Sequence, residues 1–171
     1  IDLPGELSGL MPDKAWKRRR FDQPWQIGET LIAGIGQGYV LATPLQLAVM
    51  MARLVNGGKA VVPTLVKKPP SPEGIPSMGI DSTNLASVIR AMIGVTTDAK
   101  GTARNSQIPA PAMRMGGKTG TSQVRRITTR ERRSGVLTNK ERPREHRDHA
   151  LFVGFAPIVN PRYVTAVIVE H

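Results

Sequence analysis

The segment from Thr43 to Val55 narrows the possible folds more than any other, because nearly every side chain in it is apolar. Thr43 stands where an N-cap belongs, Pro44 suits the first helical position, and Gln46 completes a capping box with Thr43. Leu45, Ala48, Val49, Ala52 and Val55 fill one face of the resulting helix, and Leu47, Met50, Met51 and Leu54 fill another. Arg53 is its single charge, and Asn56-Gly57-Gly58 supplies the stop. A helix that is apolar nearly all round has to be enclosed, so a buried core helix is predicted.

The flanking segments suggest what encloses it. Residues 1 to 30 read as an irregular, surface-hugging arm, interrupted at Leu3-Pro4-Gly5-Glu6, Met11-Pro12 and Gln23-Pro24-Trp25. A Pro-rich stretch, Pro69-Pro70-Ser71-Pro72 to Pro76, leads to a second, amphipathic helix starting near Asp81, with Leu85, Val88, Ile89, Met92 and Ile93 at helical spacing. Residues 150–156 and 163–170 alternate as strands and are joined by a turn through Asn160-Pro161, which reads as an antiparallel hairpin. Helices first and strands last argue for an α+β fold with helices covering an antiparallel sheet.

Composition sets outer bounds. With 171 residues, 40% of them hydrophobic and 22% charged, the chain has the makings of one globular domain or part of one. It opens on Ile1 without a charged-then-apolar leader, so it reads as processed or excised. No apolar run approaches the roughly 20 residues that span a bilayer, so any membrane anchor is expected outside it. The absence of cysteine excludes disulfides and thiolate metal ligands. The net charge of +11 comes mainly from Lys14, Lys17 and Arg18 to Arg20, and from a run between Arg125 and Arg147. That balance permits a nucleic-acid partner, but neither cluster is interleaved with aromatics for base stacking. Solvated surface runs are therefore expected, with an anionic membrane or cell-wall polymer as the remaining use of the charge.

Two smaller motifs carry little chemistry. Gly34-Ile35-Gly36-Gln37-Gly38 follows no strong strand and lacks the third glycine of a dinucleotide loop, so no cofactor is expected. His146 and His149 sit three apart with Asp148 between them, but no further ligand lies nearby and there is no HExxH, so structural or solvent-facing histidines are expected and no metal.

Lys118-Thr119-Gly120-Thr121 admits three readings. Ala112 to Thr119 fits a relaxed phosphate-loop pattern, the basis of a nucleotide-binding alternative, although prolines at 109 and 111 spoil the strand it needs and no apolar-spaced helix follows. The tetrad also fits the Lys-Thr-Gly strand of penicillin-recognising serine enzymes. As a strand, Met113, Met115, Thr119, Thr121 and Gln123 would share one side, and Gly116, Gly117 and Gly120 would leave backbone open to a ligand. An extended peptide could then add to the edge, with Lys118, Thr119 and Thr121 offering a charge and hydroxyls to its carboxylate. The third reading is a glycine-bearing hairpin with a solvated lysine.

Several segments, in one collinear order, together resemble a known family. They are Leu3-Pro-Gly-Glu6, Ser8-Gly-Leu-Met-Pro12, Trp16-Lys-Arg-Arg-Arg-Phe21, Ile35-Gly-Gln-Gly-Tyr-Val40, Thr43-Pro-Leu-Gln-Leu-Ala48, Gly117-Lys-Thr-Gly-Thr121 and Asp148-His-Ala-Leu-Phe-Val-Gly-Phe-Ala-Pro157. The family is the class B penicillin-binding proteins, in the branch that serves cell elongation; the likeness is weakest over Lys59 to Lys100 and in the Arg-rich loop. The resemblance implies a penicillin-binding-protein/β-lactamase-like fold and a serine D,D-transpeptidase that cross-links peptidoglycan stem peptides and is acylated by β-lactams. It implies that Lys118, Thr119 and Thr121 bind the donor or antibiotic carboxylate and that Gly120 permits close approach. The Thr121 N–H would form half of the oxyanion hole. It also implies a membrane glycosyltransferase partner, an anchor outside this chain, and a place on the periplasmic face of the bacterial inner membrane.

The chain departs from the family pattern in three ways. No serine is followed three residues later by lysine, so the nucleophile and its lysine are absent. Ser82-Thr83-Asn84 spells the second motif but reads as helix capping. The chain stops at His171, where the family continues into a helix that covers the sheet. Residues 1–171 are thus expected to be the C-terminal part of a transpeptidase domain, without the nucleophile-bearing part and the final helix. Such a piece should form no benzylpenicillin adduct alone, and its uncovered sheet should promote self-association.

Overall fold

In the computed structural model, which describes residues 1–2, 4–67, 69, 73–125 and 127–170, the capping box at Thr43 forms as read. Thr43 Oγ1 accepts from Gln46 N at 3.1 Å, and Thr43 N donates to Gln46 Oε1 at 2.9 Å. In chain order the helices are α1 (Lys14–Phe21), α2 (Ile27–Gly34), α3 (Pro44–Val55), α4 (Ser82–Thr97) and α5 (Thr129–Ser134), and the strands are β1 (Gly116–Ser122), β2 (His149–Ala156) and β3 (Tyr163–Val169). The second predicted helix is α4, but its cap is Asp81, whose carboxylate accepts from Thr83 N at 3.0 Å and Asn84 N at 2.9 Å. Ser82, Thr83 and Asn84 are its first turn.

The three strands form one antiparallel sheet in the order β1-β2-β3. Phe155 sits between Gly116 and Val164, and Val153 between Lys118 and Ala166. Because opposed residues share a face, this register sends Val153, Phe155, Val164 and Ala166 to one side of the sheet. There α4 lies against β1 while α3 lies against β2 and β3. Met51, Met92, Val153 and Phe155 are the buried centre, with Leu47, Leu54, Ile89 and Ile93 packed around them. Enclosing a side chain such as Phe155 contributes about 1.5–3 kcal/mol. The α+β arrangement of helices over an antiparallel sheet is therefore present, and its β2-β3 hairpin is the expected one.

Three expectations change. Helix α3 is not enclosed on every side: Met51 is fully buried, but Met50 is 44% exposed. Strands β2 and β3 with α4 cover one flank, and the opposite flank lines a cavity of ≈ 370 Å³ with Ile1, Val62 and Ile80. The arm of residues 1 to 30 is not wholly irregular, since it holds α1 and α2. Asp13 caps α1 through Trp16 N, and Gln26 and Glu29 form a capping box on α2. Each helix spans eight residues, too few to show a clear apolar period. The first basic cluster is not wholly solvated either. Lys17 is only 4% exposed and is paired with Glu29, whose carboxyl is held below its ordinary value by the Lys17 bond and then by the Gln26 N–H.

The glycine run after α2 is a turn: Gly36 and Gly38 have φ of 74° and 76°, which side chains rarely adopt. Leu3, residues 70–72 of the Pro-rich stretch, Arg126 and His171 lie outside the described residues.

Candidate functional site

The candidate strand begins with two glycines, and packing explains both. A Cβ on Gly116 would lie 2.6 Å from Phe155 Cζ, and one on Gly117 would lie 2.5 Å from both Phe152 Cζ and the Val153 carbonyl oxygen. Both glycines are buried, so they seat two phenylalanines rather than opening backbone to a ligand. Gly120 differs: it is exposed, and a Cβ there would meet Leu151 Cβ at an ordinary 3.5 Å. Of the open glycines expected from the sequence, Gly120 alone fits that description.

Residues 107 to 115 set how the strand starts. Gln107 Oε1 accepts from Met115 N at 2.8 Å, and Gln107 Nε2 donates to the Met115 carbonyl at 3.0 Å. Thr96, 1% exposed, donates its hydroxyl to the same carbonyl at 2.6 Å. One glutamine side chain thus makes the paired bonds that a neighbouring strand would make, on the edge facing away from β2. Backbone groups alternate between the two edges, so counting by two from Met115 puts the N–H and C=O of Thr119 and Thr121 on that outer edge. The Thr119 carbonyl accepts from Lys118 Nζ at 2.7 Å, in keeping with that placement. No strand pairs with the outer edge among the described residues.

Side-chain alternation divides the tetrad. Lys118 shares the helix-covered face with Val153, while Thr119 and Thr121, opposite Phe152 and Ala150, share the other. The lysine is exposed and curls to the edge to reach the Thr119 carbonyl. The Thr119 hydroxyl lies 2.9 Å from that of Thr102. Lys118, Gly120 and Thr121 are exposed and Thr119 half-buried, so a positive charge, two hydroxyls and an outward N–H meet on one open edge. Met113 and Gln123 fall outside the strand, Met113 in a 3-10 turn at Pro111–Met113.

Neither Thr102 nor Gln107 was legible as a site residue. Their partners lie 17 and 8 residues away in the chain, and no motif links them. The phosphate-loop alternative fails on this geometry: Lys118 and Thr119 lie in a strand, and the next helix starts only at Thr129.

The sequence model of the penicillin binding protein transpeptidase domain matches residues 1–171. The chain belongs to this transpeptidase family. Within the family it is 35% identical over 181 aligned residues to the peptidoglycan D,D-transpeptidase MrdA of Salmonella typhimurium, covering 100% of this chain and 28% of that protein. Among solved structures it matches Pseudomonas aeruginosa PBP2, in complex with WCK 5153, with a TM-score of 0.78 and 43% identity over 99% of this chain and 35% of that one. Helicobacter pylori PBP2, solved in complex with MreC, gives a TM-score of 0.80 and 33% identity over 99% of this chain and 29% of that one. The chain thus spans between a quarter and a third of the MrdA transpeptidases it matches.

The basic run between β1 and β2 is only partly the solvated loop expected. Arg142 is 7% exposed and pairs with Asp148 at 2.9 Å, while Asn139 bonds to both Arg142 and the Asp148 backbone. His149, read as structural or solvent-facing, opens β2 opposite Ser122. Among the described residues no group of three His, Cys, Asp or Glu is placed to hold a metal.

Proposed function

We propose that residues 1–171 form the C-terminal part of the transpeptidase domain of a peptidoglycan D,D-transpeptidase, and that β1 is its substrate-binding strand. The observation that carries this is the open outer edge of β1, with Thr119, Thr121 and Lys118 on it, in a chain matched by the transpeptidase model along its whole length. A donor peptide adds to that edge as an extra strand. Its terminal carboxylate takes Lys118 and the hydroxyls of Thr119 and Thr121, and Gly120 lets its backbone close in. The outward N–H of Thr121 supplies one donor to the developing oxyanion. The serine that attacks and the lysine that activates it are not among these residues, so this chain positions the donor and leaves bond-making to another segment.

β-Lactams, shaped like the donor terminus, would occupy the same edge. The resemblance to elongation-type relatives extends the reading to a membrane glycosyltransferase partner and to the periplasmic face of the inner membrane. The Helicobacter pylori relative solved with MreC supports an assembly of that kind. No described helix is long and apolar enough to cross a membrane.

The test is labelled penicillin on the full-length parent protein. A covalent adduct is expected, while residues 1–171 alone form none, and Thr119→Val in the parent should slow acylation by about ten- to hundredfold. A parent protein that never acquires the label would sink the reading.

A further inference from the structure

Residues 123–148 join the end of β1 to the start of β2 and hold nine Arg or Lys against four Asp or Glu. Three of those four acids are engaged within the loop. Glu131 accepts from Thr128 N at 2.8 Å and pairs with Arg125 at 2.7 Å. Glu141 accepts from the N and Oγ1 of Thr138, each at 2.7 Å. Asp148 is held by Arg142 at 2.9 Å. These anions shape the loop: the first caps α5, the second closes a Thr-x-x-Glu turn, and the third ties the loop at its base. Three acids are thereby occupied inside the loop, Glu141 while itself exposed, and Glu145, also exposed, has no ion pair among the described residues. Arg130, Arg133, Lys140 and Arg144 are also exposed, and none has an ion pair among the described residues. The described part of the loop is folded around its own carboxylates and presents surplus positive charge.

Chain direction then says what that charge meets. With the donor carboxylate at Thr119 and the scissile carbonyl at the Thr121 N–H, the rest of the donor runs past Ser122, where the loop begins. We infer that the loop binds a carboxylate carried by the donor peptide upstream of its scissile D-Ala. Arg130, Arg133, Lys140 and Arg144 are the cations it uses, and the site selects acidic over amidated stem peptides. This rests on the transpeptidase reading above. An anionic membrane is the other taker of such charge, with the exposed Val136 and Leu137 as its apolar contact. The peptide is favoured because the loop grows directly out of the substrate strand.

The test compares two thioester donors, identical except that the residue before the scissile D-Ala carries either a carboxylate or a carboxamide. The enzyme is the full-length parent, with labelled penicillin as the reference acylating agent. The parent should use the carboxylate donor about tenfold better in kcat/KM at low salt, and added salt should erode that preference. Arg130→Gln, Arg133→Gln, Lys140→Gln and Arg144→Gln together should abolish the preference and leave penicillin acylation unchanged. A second variant that changes two side chains instead of four, Arg130→Glu with Arg133→Glu, should reverse the preference toward the carboxamide donor.

Equal use of both donors by the parent, or an unaltered preference in the variants, overturns the inference while penicillin labelling still stands for the transpeptidase reading. Loss of binding to phosphatidylglycerol/phosphatidylethanolamine vesicles in the variants, with donor preference intact, would hand the loop to the membrane and overturn it too. A parent that takes no penicillin label overturns the transpeptidase reading itself and, with it, this one.

Discussion

Gln107 shows how much one side chain can decide at the candidate site. Its amide satisfies both backbone groups of Met115, and its oxygen also accepts from Ile108 N at 2.9 Å. The pairing of β1 with β2 sets which residues face outward, and Gln107 closes that outer edge at Met115, ahead of Thr119 and Thr121. Gln107→Leu would leave the N–H groups of Met115 and Ile108 without their acceptor, a loss of about 1–3 kcal/mol when such groups are shielded from water. Hydrogen exchange at those two amides should speed up by about ten- to hundredfold, while the Phe155 amide at the sheet centre exchanges as before. Unchanged protection at Met115 would show that the glutamine does not hold the strand. Thr96 backs the same carbonyl, so the loss should be graded rather than complete.

Among the elements, α5 depends most visibly on a single charge. Its N-cap is Thr128, and Glu131 completes the capping box and binds Arg125. The Thr128 backbone N–H, then Arg125 and the Thr128 hydroxyl, lower the Glu131 pKa to about 2. A carboxyl depressed in the folded state lends stability above its ordinary value, and that contribution fades as pH falls toward the depressed one. The cap should therefore be fully held above about pH 4.5 and lost as pH falls through about 2. Titration of the Glu131 carboxyl carbon by NMR should place its midpoint near 2, with the Thr128 amide shift following it. A midpoint near 4.5 would mean that the box does not form in solution. The Thr-x-x-Glu pattern at Thr128 and again at Thr138 is legible in the sequence, yet the density of arginine around it reads first as a solvated run.

At the scale of the whole molecule, the sheet has one face under α3 and α4 and one left open. Tyr163, Val167 and Val169 stand on the open face, 68%, 46% and 53% exposed. A contiguous apolar surface of that kind promotes association. Sedimentation should show this chain self-associating as concentration rises, and Val167→Lys with Val169→Lys should shift it to monomer. A monodisperse monomer at high concentration would count against that. The sequence alone determined α3, α4, the hairpin and the α+β class, because caps and apolar periods are local and repeat over enough residues to be read. It also marked Lys118, Thr119, Gly120 and Thr121 as candidate site residues, since their types and order are a motif. Only the tertiary structure decided that Gly116 and Gly117 serve packing, that Lys17 and Arg142 are buried in ion pairs, and that Gln107 closes the outer edge of β1 at Met115, the edge on which the Thr119 and Thr121 backbone lies. Those facts come from partners far apart in the chain: a glycine's need is set by the ring opposite it, and a strand edge by what pairs with it.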